Sequence, residues 1–385
     1  MSSFISQKIQ GLAQSDIRRM TRECNRVGGI NMGQGICDLP TPPLVRDGAI
    51  QAILDRKSIY SYSEGIPELR DAIATKLKRD NGIDADPGSE IVVTTGSAGS
   101  FTCAITGLLN PGDGILIMEP YYGYHLNAAV VAGLEPQFLT LRPPDFQLYE
   151  DELKASIKPN TRAMVVCTPS NPSGKMFSRE ELEIIAKVAH ENDILVISDE
   201  IYEYIRYDDR EHISPATVGG LFERSVSIMG LSKTFSITGW RIGYSVAPKE
   251  LAAAMTLIHD LYYICAPTPL QHGVAAGFDA PPSFVEDMAA DYQRKRDLFA
   301  AALREGGFDP IVPQGSYYML TNIEHLGYGS AIEAAMDLLE RGGVASIPGT
   351  AFYRGETGEK LLRFCYAKEL HVLEEACQRV RNFRR

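Results

Sequence analysis

The sequence is poor in the groupings that bind metals, cross-link chains or contact nucleic acids. Its seven cysteines and seven histidines are scattered over 385 residues, and no Cys-x-x-Cys pair occurs. This spacing argues against a disulfide framework and against a structural zinc site. Lys and Arg number 38 against 49 Asp and Glu, which gives a net charge of −11. Because nucleic-acid binding needs a basic face, we expect neither a metal nor a nucleic-acid partner.

Long apolar runs are also missing. No stretch reaches the ~18 apolar residues that span a bilayer. The first twenty residues lack the basic and apolar segments of a secretory signal. We therefore expect no membrane partner and a reducing, cytoplasmic setting. A hydrophobic content of 44% allows a large core, and the length suggests two domains.

Short, wholly apolar segments alternate with amphipathic ones through the middle of the chain. Such segments are typical of strands that are buried on both faces of a sheet. The clearest helix between them begins at Ser178, which forms a capping box with Glu181. This alternation predicts an α/β fold, with a mostly parallel sheet flanked by helices. The predicted strands are 91–95, 114–118, 163–167, 194–198 and 226–230.

The two ends of the chain have a different pattern. Residues 1–45 begin with a helix-like segment and end in a turn-rich stretch. The sequence after 276 predicts a long charged helix, mixed strands and a C-terminal helix from about Glu369. We therefore predict a large domain of residues 46–276 and a smaller α+β domain built from 1–45 and 277–385. A ligand-binding cleft is expected between them.

Chemically useful side chains follow the predicted strands at their carboxyl ends, where open α/β sheets bind ligands. The first strand leads through Gly-Ser-Ala-Gly-Ser into a helix start, which is suited to an anion. A tyrosine cluster, a proline-flanked Asn171 and the pair Asp199 and Tyr202 follow the next three strands. Lys233 and Arg241 follow the last one. Together these groups suit a planar, phosphorylated cofactor with a ring nitrogen, a ring oxygen and an aldehyde.

Several motifs resemble those of class I and II aminotransferases of the aspartate aminotransferase superfamily. The most specific is Ser-Lys-Thr-Phe-Ser-Ile-Thr-Gly-Trp-Arg-Ile-Gly-Tyr at 232–244. Further matching segments lie at 60–70, 171–174, 199–202 and 348–352, so the resemblance covers nearly the whole chain. It implies the fold-type I architecture with pyridoxal 5′-phosphate as cofactor. It also implies ping-pong transfer of an amino group between an L-amino acid and a 2-oxo acid.

The resemblance assigns roles to individual residues. Lys233 would carry the cofactor as a Schiff base and act as the catalytic base. Asp199 would keep the ring nitrogen protonated, and Tyr202 would hydrogen-bond the ring hydroxyl oxygen together with Asn171. The other cofactor-binding residues that it implies are Gly96, Ser97 and Ala98 around the phosphate, Ser232 and Arg241 beside them, Tyr122 on the ring face, and Tyr60 from the second subunit of a homodimer.

The same resemblance places the substrate. Arg363 would bind the α-carboxylate, with help from Asn171 and from the backbone near Gly35. Ile36 lies near the expected substrate side chain. The segment 261–270 contains no Lys or Arg where some aspartate-preferring relatives place a second cation. We therefore expect neutral or aromatic amino donors.

Two departures from the family pattern leave details open. Many relatives carry a phosphate-binding serine three residues before the lysine, and Gly230 stands there in this chain. Ser97 and Thr268 are candidates to replace it. The aromatic loop is one residue shorter than usual, so the residue that stacks on the cofactor is one of three tyrosines at 121, 122 and 124.

Other functions of the same scaffold also fit these motifs. A β-eliminating C–S lyase or a cyclising lyase would carry the same lysine and aspartate, and product analysis would distinguish them. A non-catalytic, cofactor-binding sensor domain is the remote alternative. The acidic charge and the roughly 30 residues ahead of the domain argue against the DNA-binding module that such a protein carries.

Overall fold

The structure, a computed structural model, describes residues 4, 6–9, 12, 16–35, 37 and 39–384. Its α-helices are α1 (Asp16–Val27), α2 (Pro43–Leu54), α3 (Pro67–Lys76), α4 (Gly96–Leu108), α5 (Gly123–Ala132), α6 (Glu150–Ser156), α7 (Arg179–Glu191), α8 (Lys249–Tyr263), α9 (Thr268–Gly277), α10 (Ser283–Glu305), α11 (Ala331–Gly342) and α12 (Leu370–Asn382). The strands are β1 (Ile30–Asn31), β2 (Ile91–Thr94), β3 (Gly114–Glu119), β4 (Glu135–Thr140), β5 (Thr161–Cys167), β6 (Leu195–Asp199), β7 (Ser225–Met229), β8 (Gly243–Val246), β9 (Asp309–Ile311), β10 (Tyr318–Asn322), β11 (Val344–Ala345), β12 (Ile347–Pro348) and β13 (Leu361–Cys365).

A seven-stranded sheet forms the centre of the molecule. Its strand order is β2-β8-β7-β6-β5-β3-β4. The pairs β3–β4, β3–β5, β5–β6 and β6–β7 are parallel, whereas β8 runs antiparallel to both of its neighbours. All residues of β2, β3 and β7 are buried, as strands covered on both faces should be. The other six strands, β2 to β7, therefore run in one direction, and their carboxyl ends meet at one edge.

Both ends of the chain build the smaller sheets. Strands β12, β13, β10 and β9 form an antiparallel sheet in that order. The short strand β1 pairs in parallel with β11, so an N-terminal segment is joined to the C-terminal part of the chain. This arrangement brings α1 and the residues after β1 close to the edge of the large sheet.

The α/β fold class and the five predicted strands are confirmed, with bounds shifted by at most two residues. The capping box is present, because Ser178 Oγ accepts from the Glu181 N–H and the Glu181 carboxylate accepts from the Ser178 N–H. Helix α4 begins at Gly96, five residues before the start predicted at Phe101. The small residues at 96–100 therefore belong to the helix itself. In the described part of the chain, no helix is long and apolar enough to cross a membrane.

Candidate active site

A cavity of about 280 Å³ opens at the carboxyl ends of the strands. It is lined by most of the side chains that the sequence singled out, although they come from distant parts of the chain. The predicted residues that line it are Gly35, Ser97, Ala98, Tyr122, Asn171, Asp199, Tyr202, Ser232, Lys233, Arg241 and Arg363. Ile36 lies outside the described residues.

The reversed strand β8 brings Arg241 to the start of α4. Thr94, the last residue of β2, pairs with Gly243, the first residue of β8. Arg241 precedes that pair by two residues, and its Nη1 donates to the Thr238 carbonyl at 3.0 Å. A Cβ on Gly96 would lie 2.4 Å from Arg241 Nη2, and Gly96 has a φ of +72°. The positive φ favours glycine at this helix start, where the guanidinium lies beside N–H groups that have no helical acceptor.

The buried carboxylate of Asp199 ends strand β6. Its Oδ2 lies 3.0 Å from His125 Nε2, and its Oδ1 accepts from the Ile201 N–H at 3.3 Å. His125 is buried in α5, with Phe101 packed against its ring at 4.6 Å. This histidine was not predicted from the sequence, because 74 residues separate it from Asp199. No local pattern in the sequence indicates the contact.

Two of the three tyrosines that could stack on the cofactor line the cavity. Tyr122 and Tyr124 line it and stack on each other, with ring centroids 5.1 Å apart. The ring of Tyr122 also packs edge-on against His125 at 5.3 Å. Tyr121 lies outside the cavity, buried against Phe138. Tyr122 therefore lies next to the histidine that contacts Asp199.

Lys233 projects into the cavity between aromatic rings. Its Nζ lies 5.9 Å from the ring centroid of Tyr202 and 5.7 Å from that of Tyr317. Burial lowers the pKa of the Lys233 amine below its ordinary value of 10.5, because a charge is poorly solvated there. Burial also raises the pKa of Tyr202, which stays a neutral phenol and donates to Tyr318 Oη at 3.4 Å.

Arg363 is held at the other end of the cavity with only 1% of its surface exposed. Its Nη1 donates to Asn171 Oδ1 at 3.0 Å and its Nη2 to the Gly33 carbonyl at 2.6 Å. The guanidinium lies between the rings of Tyr318 and Phe352, 4.3 and 4.6 Å from their centroids. Its Nε is buried without a hydrogen-bond partner in the described residues. This arrangement fixes a cation that retains capacity to bind an anion.

Tyr318 explains why glycine stands at position 35. A Cβ there would lie 1.8 Å from the Tyr318 hydroxyl. The loop after β1 can therefore pass closely over a phenol from β10. Gly35 was predicted from the sequence and Tyr318 was not, because the two residues lie far apart in the chain.

The side chain of Ile201 lies beside Gly230. A Cβ on Gly230 would lie 2.8 Å from Ile201 Cδ1, so a serine at this position would require the Ile201 side chain to move. Of the two candidates to replace the family serine, Ser97 lines the cavity. Thr268 lies elsewhere and donates to the Ile59 carbonyl at 2.7 Å.

Tyr60 does not line the cavity of its own chain. Its side chain is 75% exposed, in a second, open pocket that also includes Thr268 and His272. The exposed apolar residues Ile53 and Leu54 are close to it in the chain. Any contact of Tyr60 with a cofactor would therefore have to be made in another chain.

The side chains of the cavity fit pyridoxal phosphate. Arg241 and the first turn of α4 suit its phosphate, because the guanidinium lies close to Gly96 at the start of that helix. Asp199 suits the pyridine nitrogen, and the partly buried amine of Lys233 suits the aldehyde. No cluster of His, Cys, Asp or Glu in the described ranges could hold a metal ion.

Comparison with known proteins places the chain in a family. The model of the family "Aminotransferase class I and II" matches residues 27–380. Aromatic-amino-acid aminotransferase 2 of Thermococcus litoralis is 34% identical over 98% of this chain and 97% of its own length. Aspartate aminotransferase of Pyrococcus abyssi is 36% identical, with coverage of 91% and 90%. The solved structure of N-succinyldiaminopimelate aminotransferase from Mycobacterium tuberculosis has a TM-score of 0.95 and 32% identity, and covers 98% of this chain and 99% of its own.

The chain belongs to the class I and II aminotransferases and has their fold-type I architecture. It is a pyridoxal-phosphate-dependent transaminase, with amino acids and oxo acids as substrates. The relatives support amino-group transfer and not the lyase alternative.

Proposed function

We propose that Lys233 binds the cofactor covalently and is the base of the reaction. One observation carries the proposal: Lys233 lines the same cavity as Asp199, Arg241 and Arg363, and burial there lowers the pKa of its amine. A lysine must be neutral to act as a nucleophile or a base, and burial favours the neutral form. The proposed roles of the other residues follow from their positions around it.

Bound pyridoxal phosphate supplies a sink for the electron pair that is left when the substrate Cα loses its proton. The protein supplies position and charge. Asp199 would hold the cofactor at its pyridine nitrogen, with His125 fixing the carboxylate. Tyr202 and Asn171 would hold the ring hydroxyl oxygen. Lys233 Nζ would take the Cα proton from the amino acid, at a position where the rings of Tyr202 and Tyr317 lie close to it.

The phosphate would be held by Arg241 and by the first turn of α4. Gly96, Ser97 and Ala98 supply that turn, and Ser232 lines the cavity beside Lys233. Tyr122 would cover the ring face, because it adjoins His125. Ser97 is our choice for the donor that Gly230 cannot supply.

The substrate α-carboxylate would be bound by Arg363, with Asn171 and the backbone at Gly35 beside it. Arg363 already donates to two protein oxygens, and its planar guanidinium has five N–H donors in all. A carboxylate can use the rest in a two-point contact that a lysine ammonium cannot copy.

The experiment that tests Lys233 is its replacement. We expect Lys233→Ala to lose turnover and to retain pyridoxal phosphate non-covalently. Lys175→Ala is the matched control, because Lys175 is also buried but is paired with Glu181 outside the cavity. Turnover at the wild-type rate in Lys233→Ala would contradict the proposal.

We also propose that neutral or aromatic amino acids are the preferred donors. Only three of the described cavity residues are Lys or Arg, and each already has a proposed role. The other lining residues of the cavity include Ile17, Gln34, Thr102 and Tyr124, which carry no charge. A second carboxylate buried there without a partner would cost several kcal/mol. An apolar side chain would gain about 1.5–3 kcal/mol on burial.

Donor preference is measured in the first half-reaction, with one donor at a time. We expect methionine, leucine, phenylalanine or tyrosine to react more efficiently than aspartate. Ile17→Lys should raise the efficiency with aspartate, and Ile17→Gln is the uncharged control. A higher efficiency with aspartate than with all four neutral donors in the wild-type enzyme would overturn the preference.

We further propose a homodimer in which Tyr60 binds the phosphate in the partner's site. The exposure of Tyr60, and its position outside its own cavity, support this role. Tyr60→Phe should weaken cofactor retention by about 1.5–3 kcal/mol, the contribution of a charge-assisted hydrogen bond. A catalytically competent monomer in sedimentation would contradict the dimer.

The domain division and the cellular setting belong to the same proposal. The large sheet uses strands between Ile91 and Val246, which supports a large domain of 46–276. The smaller sheets use strands before 32 and after 308, which supports a second domain of 1–45 and 277–385. The seven cysteines are free thiols, in keeping with a reducing, cytoplasmic setting.

A further inference from the structure

A buried histidine joins the helix start at the proposed phosphate site to the loop that carries Tyr60. His259 lies on α8 and has no exposed surface. Its Nδ1 lies 2.8 Å from the Ser63 carbonyl, and its Nε2 lies 3.2 Å from the Thr95 backbone nitrogen. One imidazole thus contacts two backbone groups that belong to different parts of the proposed site.

The two contacts determine which nitrogen carries the proton. A carbonyl oxygen can only accept, so Nδ1 donates to Ser63. A backbone N–H can only donate, so Nε2 accepts from Thr95. The ring must therefore be neutral and protonated at Nδ1. Burial lowers the pKa of His259, which favours the neutral ring even with the Asp260 carboxylate next in the chain.

The Thr95 contact bears on the phosphate site. Thr95 is the N-cap residue of α4, and no side chain caps this helix end. Gly96, Ser97 and Ala98 follow it in the first turn, whose N–H groups have no acceptor inside the helix. By fixing the Thr95 N–H, His259 fixes the direction in which that turn begins. The neighbouring N–H groups remain available for an anion.

The Ser63 contact bears on Tyr60. Tyr60 precedes Ser63 by three residues in an irregular segment, 58–66. Ser63 is tied to α8 a second time, because its Oγ donates to Asp260 Oδ1 at 2.7 Å. The loop is therefore attached to α8 at the point where His259 also reaches α4.

We propose that His259 is a positioning residue with two functions. Through Thr95 it orders the phosphate-binding turn Gly96–Ala98 of its own subunit. Through Ser63 it orders the segment that carries Tyr60, which contacts the phosphate in the other subunit. This rests on the proposed roles of Gly96–Ala98 and of Tyr60. It assigns His259 no contact with substrate or cofactor. Nε2 therefore acts on the phosphate site of its own subunit, and Nδ1 acts on the phosphate site of the partner subunit.

Two substitutions separate the two contacts. Asparagine retains a nitrogen at the position of Nδ1 and has no atom at that of Nε2, so His259→Asn keeps the Ser63 contact alone. Glutamine places an amide oxygen near the position of Nε2, so His259→Gln keeps the Thr95 contact alone. His325→Asn is the control, because His325 also binds a backbone carbonyl, that of Gly307, but at an exposed position outside the cavity.

The measurement is the dissociation constant of pyridoxal phosphate for the full-length protein, followed by the absorbance of the bound cofactor. Each variant is made in the wild-type and in the Tyr60→Phe background. We expect each His259 substitution to weaken binding about fivefold, the effect of one neutral hydrogen bond. In Tyr60→Phe the effect of His259→Gln should disappear, and that of His259→Asn should persist.

The pattern across the two backgrounds decides the outcome. Unchanged binding in both His259 variants would overturn the proposal. So would an equal loss of affinity from His259→Gln in the wild-type and Tyr60→Phe backgrounds, because a merely structural role gives additive effects. If Tyr60→Phe alone has no effect, the proposed role of Tyr60 fails, and loss of affinity in His259→Asn still tests the Thr95 contact. If His259→Asn does not fold, His259→Gln decides through its response to Tyr60→Phe. If His259→Gln does not fold, unchanged cofactor binding in His259→Asn overturns the proposal at the Thr95 contact.

Discussion

The two arginines of the cavity are held in opposite ways. Arg363 is 1% exposed, with two hydrogen bonds and an aromatic ring on each side. Arg241 is exposed, adopts a left-handed backbone with a φ of +57°, and makes one hydrogen bond to the Thr238 carbonyl. Arg363 is therefore ordered by the protein before any ligand arrives. Arg241 depends more on its ligand.

This difference matches the two proposed roles. A substrate enters and leaves in every reaction cycle, so a fixed guanidinium avoids an ordering cost at each turnover. A resident cofactor binds once and can itself order the side chain that holds it. The comparison makes separate predictions for substrate binding and for cofactor binding.

The largest expected effect is the fall in kcat/KM on substitution of the buried Arg363. Arg363→Lys should lower kcat/KM for all amino donors by about 100- to 1000-fold, because lysine lacks the two-point contact and leaves Asn171 and Gly33 imperfectly paired. Cofactor affinity should remain unchanged. Steady-state kinetics and a cofactor titration measure the two quantities.

Arg354→Lys is the matched control for that variant. Arg354 also lies over an aromatic ring, with its Cζ 4.2 Å from the centroid of Phe138, but it does not line the cavity. If both substitutions lowered kcat/KM equally, Arg363 would have no special role in substrate binding.

The next largest expected effect is the loss of cofactor affinity on substitution of the exposed Arg241. Arg241→Gln should weaken binding of pyridoxal phosphate by about 10- to 100-fold, the loss of a charge-assisted hydrogen bond. The kcat at saturating cofactor should change little. Arg162→Gln, an exposed arginine outside the cavity, is the control. A selective fall in kcat with unchanged cofactor affinity would contradict the proposed role of Arg241 in cofactor binding.

A smaller effect on kcat is expected when the Asp199 carboxylate loses its contact with His125. His125→Asn removes the nitrogen that contacts Asp199 and should lower kcat by about tenfold, the effect of a hydrogen bond to a charged group. His125→Gln should restore part of the rate, because its amide nitrogen can occupy the same position. Equal rates in the two variants would show that the contact with Asp199 is not the reason for the loss.

The smallest effect concerns stability. Because burial lowers the pKa of Lys233, the unfolded chain binds more protons than the folded one between that lowered pKa and 10.5, so burying the amine costs the folded apoprotein stability below pH 10.5. Lys233→Met should stabilise the apoprotein at pH 7 by about 1 kcal/mol. The gain should shrink as the pH rises toward 10.5.

Chemical denaturation of the apoprotein at several pH values measures this gain. Lys158→Met, outside the cavity, serves as the control. A lower stability of Lys233→Met at pH 7 would contradict a cost of burying the lysine.

The sequence was sufficient for those parts of the fold that depend on local pattern. Continuous apolar runs predicted the five strands, and Ser178 with Glu181 predicted the start of α7, because neighbouring residues determine both features. Asp199 and Lys233 could be named because each follows such a strand, and parallel strands end at one edge.

Contacts between distant segments were not predictable from pattern. His125 reaches Asp199 across 74 residues, and Tyr318 approaches Gly35 from the other end of the chain. Arg241 meets Gly96 because β8 runs antiparallel to its neighbours, and hydrophobic periodicity does not report strand direction. The space beside Gly230 is filled by Ile201, which only the folded backbone reveals.

Reductive trapping tests the central claim most directly. The holoenzyme is treated with borohydride, which makes the link between pyridoxal phosphate and its lysine permanent, and the modified peptide is identified by mass spectrometry. We predict that the added mass lies on Lys233 alone. Cofactor fixed to any other lysine, with Lys233 unmodified, would contradict the account.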